Sequence, residues 1–154
     1  MDSQSIHASN QYSKGDLLVK PSLFMEIAGN QTVVESIAEL VKEIVLDNGA
    51  LDFKHSSIME ERSRLWKARH DLYYACRNFD TRPNTRALIT DVCVPISKLP
   101  EIILIMQNYL DKYNIKGSSF GHVGDGNFHS VITYDPNDSV ETGNVLMISE
   151  MIAE

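Results

Sequence analysis

The residues best suited to chemistry lie in Gly121-His122-Val123-Gly124-Asp125-Gly126-Asn127-Phe128-His129, where two imidazoles bracket an aspartate and two glycines. Three glycines within six residues oppose a helix, because each costs about 1 kcal/mol against alanine. Ser118-Ser119-Phe120 leads in and Ser130-Val131-Ile132-Thr133-Tyr134 follows, and both flanks are strand-like. Asp125-Gly126 between two such runs signals a hairpin, since a type I′ turn requires φ > 0 at both central residues. That turn would set Gly124 opposite Asn127, Val123 opposite Phe128 and His122 opposite His129. Directly opposed residues carry Cβ atoms about 4.5–5.5 Å apart. On a straight strand the same imidazoles would stand roughly 23 Å apart. The spacing therefore predicts a pair of imidazoles able to share a divalent cation. Two ligands do not close a metal site, which takes three or four, and a hairpin with two surface histidines needs no metal. The glycines run G-x-x-G-x-G, which is not the dinucleotide-binding order, and no Gly-Lys-Ser/Thr follows to make a phosphate loop.

A second group of polar side chains falls on a predicted helix. From Ser56 or Ser57, either of which can cap it, helical spacing runs to about Asn78, with Glu60 and Glu61 in the first turn. Ile58, Leu65, Leu72 and Cys76 form one apolar stripe. Arg69 projects near its middle, between Trp66 and Tyr73, and Arg62 lies near the same stripe. A guanidinium on a core-facing stripe is costly unless it meets a partner. A bidentate carboxylate is the natural one. It could come from a ligand, from Asp91 or a nearby glutamate, or the side chain could snorkel to the surface.

These residues need elements to hold them. Residues 1–15 are polar and aperiodic and read as a loose lead-in, leaving residues 16–154 as one domain. Residues 21–28 read as a strand with Leu23, Met25 and Ile27 on one face, and residues 50–54 as another. Val33, Ile37, Leu40, Val41 and Ile44 predict a helix over residues 32–46, closed by Asp47-Asn48-Gly49. Residues 86–94 read as a strand, followed by a helix capped by Ser97 with Pro100 in its first turn. The hairpin then adds two strands, and residues 140–154 are helical. Strands alternating with helices around an antiparallel hairpin predict an α+β fold, with helices packed on one face of the sheet. On this reading Cys93 is a small core residue, and His55 and His70 are surface or helix-face residues rather than ligands.

Composition narrows the function classes. The 154 residues suffice for one compact core, with 43% apolar and 23% charged residues. A net charge of −7 without a basic cluster argues against nucleic acid. The aliphatic run Ile102-Ile103-Leu104-Ile105-Met106 is too short to span a bilayer. Two cysteines argue against a disulfide scaffold. The first 18 residues carry Asp2 and Asp16, one lysine and no arginine, unlike a transit peptide.

Three motifs together resemble the C-terminal substrate domain of FAD-linked D-2-hydroxy-acid dehydrogenases. They are GHVGDGNFH, Trp66-Lys67-Ala68-Arg69-His70, and Thr90-Asp91-Val92-Cys93-Val94-Pro95-Ile96-Ser97, in the family's order, and the likeness runs from about Tyr12 to the end. It is strongest to the mitochondrial, cytochrome-linked D-lactate dehydrogenase branch. The resemblance implies a ferredoxin-like sheet and oxidation of a D-2-hydroxy acid, D-lactate to pyruvate, with electrons passing through FAD to an acceptor such as cytochrome c. It further implies that Arg69, in the W-x-x-R pattern, binds the substrate carboxylate, and that His122 and His129 hold a divalent ion of the zinc or manganese class. Asn127 would face the flavin.

The family completes the metal site with a glutamate from a downstream E-H-G motif, whose histidine serves as base. Neither residue is found in this sequence; Glu150 and Glu154 lack the following His-Gly, so no catalytic base is assigned. The resemblance thus implies a piece of a longer mitochondrial enzyme that is inactive alone, its FAD held by another domain of the same parent chain. Tyr73 stands where a related hydroxyglutarate enzyme has a substrate-binding threonine, so that contact is not carried over, and Ile89 replaces the lysine it uses for a second carboxylate, a loss that points towards a monocarboxylic substrate. The competing class is a non-catalytic metal- or small-ligand-binding α+β module, which would keep the histidine pair but have no use for Arg69.

Overall fold

The computed structural model describes residues 1–153, which form two compact units: residues 1–22 with 67–153, and Leu23–Trp66. In the first unit the helices are α1 (Ser3–Ser13), α4 (Leu72–Phe79), α5 (Leu99–Lys112) and α6 (Ser139–Met151). The strands are β1 (Arg86–Cys93), β2 (Lys116–His122) and β3 (Asn127–Tyr134). The second unit holds α2 (Gln31–Asp47) and most of α3 (Met59–His70), whose last residues belong to the first unit.

β3 lies between β1 and β2 and is antiparallel to both, so β1 and β2 run parallel and α5 joins them. The order β-α-β-β-α around such a sheet is that of the ferredoxin-like split motif through its second helix. β3 carries apolar residues on both faces: Phe128, Val131 and Ile132 are all buried. Successive side chains point to opposite sides, so each face gets its own cover. Ile132, Leu88 and Val92 pack with Met106 and Leu110 of α5 and with Val145 and Ile148 of α6. Val131, Phe120 and Ala87 pack with Ala8 of α1 and with Leu72, Ala75 and Cys76 of α4. The fold is α+β with helices against the sheet, and helices cover both faces.

The opening stretch is not a loose lead-in. Asp2 caps α1, one carboxylate oxygen accepting from the Ser5 amide (2.7 Å) and the other from the Ser119 amide of β2 (2.7 Å). Ile6 and Ala8 are buried beside Ser5 and Ser9, whose hydroxyls donate to the Ser119 and Ala68 carbonyls. A helix that buries serines shows no apolar period, which hides it from pattern reading.

Residues 21–28 and 50–54, which lie mostly in the second unit, do not form strands. A strand needs a ladder partner, and β-propensity measures packing more than backbone preference. No strand pairs with residues 23–28, and Leu23 and Met25 are exposed. α2 forms as expected, with Asn30 accepting from the Val33 amide (3.0 Å) and Gly49 leaving it at φ 82°. The expected single helix over residues 56–78 is broken at Asp71 into α3 and α4. Its stripe is buried at Leu72 and Cys76, whereas Ile58 is exposed. Lys98, not Ser97, stands at the N-cap of α5, after a single 3₁₀ turn at Ile96–Lys98.

Candidate functional site

The hairpin forms, but in another register. Val123–Asp125 make a 3₁₀ turn closed by the Gly126 amide on the Val123 carbonyl (3.2 Å). Only Gly126 adopts positive φ (71°), whereas a type I′ turn demands it of Asp125 as well. The loop is therefore Val123–Gly126, and His122 pairs with Asn127 while His129 pairs with Phe120. The shift amounts to two residues, and an even slip keeps every side chain on its own face. His122 and His129 thus stay on the same side as diagonal neighbours, with ring centroids 6.5 Å apart and planes at 89°.

The loop is anchored to β1. The Gly126 carbonyl accepts from the Val94 amide (2.9 Å), and a Cβ on Gly126 would meet the Val94 carbonyl oxygen at 2.0 Å. Only glycine fits that approach with that φ. Cys93, which opposes Asn127 at the end of this edge strand, is exposed rather than a core residue, because α4 does not reach it.

Cross-strand pairing lines up three rows on one face: Ile89, Val131 and Ser118; Asp91, His129 and Phe120; Cys93, Asn127 and His122. In the middle row Asp91 Oδ1 lies 3.2 Å from His129 Nδ1 and accepts from the Asn127 side-chain amide at 2.8 Å. That amide also donates to the Val92 carbonyl (3.3 Å). Asn127, implied by resemblance to face a flavin, is tied to β1 through its nitrogen.

Arg69 reaches the same face. Its Cζ lies 5.2 Å from the centroid of the Phe120 ring, and Phe120 is the cross-strand partner of His129 (centroids 6.0 Å apart). The guanidinium is partly desolvated, and burial lowers its pKa. Neither an ion pair nor a hydrogen bond holds it among the described residues, so the internal pair with Asp91 or a glutamate does not form. Arg62, by contrast, pairs with Glu26 (2.9 Å) in the second unit and is spoken for.

Among the described residues no three His, Cys, Asp or Glu side chains converge to hold a metal ion. The two imidazoles are at most half a site. Phe120 was legible as a neighbour of His122, since two residues along a strand share a face. Asp91 was not, because its pairing with His129 spans a long connection.

A partly desolvated arginine and two imidazoles therefore share one face of the sheet. All 154 residues match the model of the FAD linked oxidases, C-terminal domain, and the chain belongs to that family. Among individual relatives, it is 44% identical over 99% of its length to a probable mitochondrial D-lactate dehydrogenase of Danio rerio, spanning 30% of that protein. It is 33% identical over 89% of its length to the mitochondrial cytochrome D-lactate dehydrogenase of Arabidopsis thaliana, spanning 24% of it. A glycolate oxidase subunit of Escherichia coli matches at 27% identity over 92% of the chain and 28% of the subunit. No helix among the described residues is long and apolar enough to cross a membrane.

Proposed function

We propose that this chain is the substrate-facing domain of a mitochondrial FAD-dependent dehydrogenase that oxidises D-lactate to pyruvate. One observation carries the reading: Arg69 is partly buried, has no carboxylate partner among the described residues, and lies over the Phe120 ring on the face that bears His122 and His129. The relatives' names support the substrate and the compartment.

In this reading the Arg69 fork takes the substrate carboxylate in two parallel hydrogen bonds, which fixes the rotation of the acid about its C1–C2 bond. His122 and His129 face the 2-hydroxyl. A divalent ion on their free nitrogens, completed by donors from elsewhere in the parent enzyme, would supply Lewis acidity at that hydroxyl. FAD, held by another domain of the parent, would supply the hydride acceptor, with electrons leaving to an acceptor such as cytochrome c. Ile89, on the same face and 52% exposed, offers no charge for a second carboxylate, which favours monocarboxylic acids.

The test is to place this chain in the region it matches of the Danio rerio relative and follow flavin reduction by D-lactate, glycolate and D-2-hydroxyglutarate. D-lactate and glycolate should outrun D-2-hydroxyglutarate. Arg69→Lys keeps the charge but loses the fork, and should lower kcat/KM by about 10–100-fold. Unchanged kinetics in that variant would reject carboxylate binding by Arg69.

A further inference from the structure

We propose that Phe120 is a positioning residue for the substrate carboxylate, its ring holding the Arg69 guanidinium beside the histidine pair. The inference rests on the carboxylate role of Arg69 given above. A long side chain without a hydrogen-bond partner has several rotamers open to it, and each is a different placement of the fork. Arg69 does make a cation–π contact with the Phe120 ring, with Cζ 5.2 Å from its centroid. A cation–π contact of this kind takes no carboxylate, so the guanidinium's five N–H donors remain available to a bidentate partner. An ion pair at the same place would have consumed them.

The ring is itself well fixed. Phe120 is 8% exposed, sits in the cluster with Leu72, Ala75 and Val131, and is locked by strand pairing opposite His129. Its centroid lies 6.0 Å from that of His129. One side chain therefore sets the distance between the position that grips the carboxylate and the imidazoles that face the hydroxyl. These two groups sit on adjacent carbons of a 2-hydroxy acid, so the spacing has to be held closely for both to engage.

The test compares Phe120→Leu, Phe120→Tyr and Arg69→Lys in the FAD-loaded chimera described above, with D-lactate as substrate. Removing the aromatic face should raise KM by about 2–30-fold with little change in kcat, the range expected for a cation–π contact. Phe120→Tyr keeps the face and should restore KM. In the isolated chain, the Arg69 side-chain protons should be shifted upfield by the ring current in the wild type and in Phe120→Tyr, and lose that shift in Phe120→Leu. This readout reports the stacking whether or not a variant turns over. An unchanged KM in Phe120→Leu, with the ring-current shift lost and Arg69→Lys impaired, would overturn the positioning role while leaving Arg69 in place. An unchanged KM in Arg69→Lys would overturn the carboxylate reading and this inference with it.

Discussion

Replacing Gly121 with alanine should wedge the hairpin open beside the row that carries His122. An ideal Cβ on Gly121 would lie 2.2 Å from the Asn127 carbonyl oxygen and 2.4 Å from the Phe128 Cα, both backbone atoms of β3. Ordinary contact begins at 3.4 Å, so β2 must retreat from β3 by about 1 Å. Overpacking of this kind costs about 1–3 kcal/mol, and the reduced entropy of the unfolded chain offsets about 0.4–1 of it. The net loss is about 0–2.6 kcal/mol with a midpoint of about 1.3, which at 154 residues lowers the melting temperature by about 3–5 °C at the midpoint. The retreat also separates His122 from His129, whose nitrogens must come within roughly 3–3.5 Å to share an ion. Thermal melting in near-ultraviolet circular dichroism gives the stability, and the ring-to-ring NOE between the two histidines gives the geometry. A variant that melts with the wild type and keeps that NOE would refute the close approach at Gly121.

Two further perturbations test the scaffold. Asp80 is fully buried and accepts from Arg82 (2.7–3.2 Å), Lys116 (3.2 Å) and Thr133 (3.2 Å), so Asp80→Asn should cost about 2–4 kcal/mol at neutral pH. Burial opposes its charge, but the hydrogen bonds from Arg82 and Lys116 outweigh it and hold the pKa well below the carboxylate range. Its contribution is thus full above the unfolded pKa of about 4 and fades as pH falls towards the folded one, so the gap between wild type and variant should narrow below pH 4 in denaturant titrations; a gap independent of pH would contradict this. For the thiols, burial pushes Cys76 up to about 11 while Cys93 is exposed, so a thiol reagent near neutral pH should modify Cys93 in the native chain and Cys76 only after unfolding.

What could be read in advance divides along a physical line. α2, β1 and the hairpin follow from local patterns: a capping asparagine, a period of 3.6 or 2, and glycines at a turn. The same patterns mislead where the outcome depends on a distant partner. Leu23, Met25 and Ile27 alternate like a strand yet find no ladder, and α1 is held by serine hydroxyls on carbonyls of other elements. In the site, His122 and His129 were brought together by the turn, and the register error left them on one face because it was even. Spacing placed Arg69 on a buried stripe but left its partner open. Which ring it covers depends on how residues 67–79 pack on the sheet, a long-range contact that helix periodicity does not encode.

The central claim is that Arg69, Phe120, His122 and His129 line one site for a 2-hydroxy acid and a divalent ion. Paramagnetic broadening by Mn²⁺ in the isotope-labelled chain tests it most directly. The ring signals of His122 and His129 should broaden first, then those of Phe120 and the Arg69 side chain, with His7, His55 and His70 unaffected at the same metal concentration. Broadening spread over the acidic surface, with His122 and His129 spared, would contradict the account.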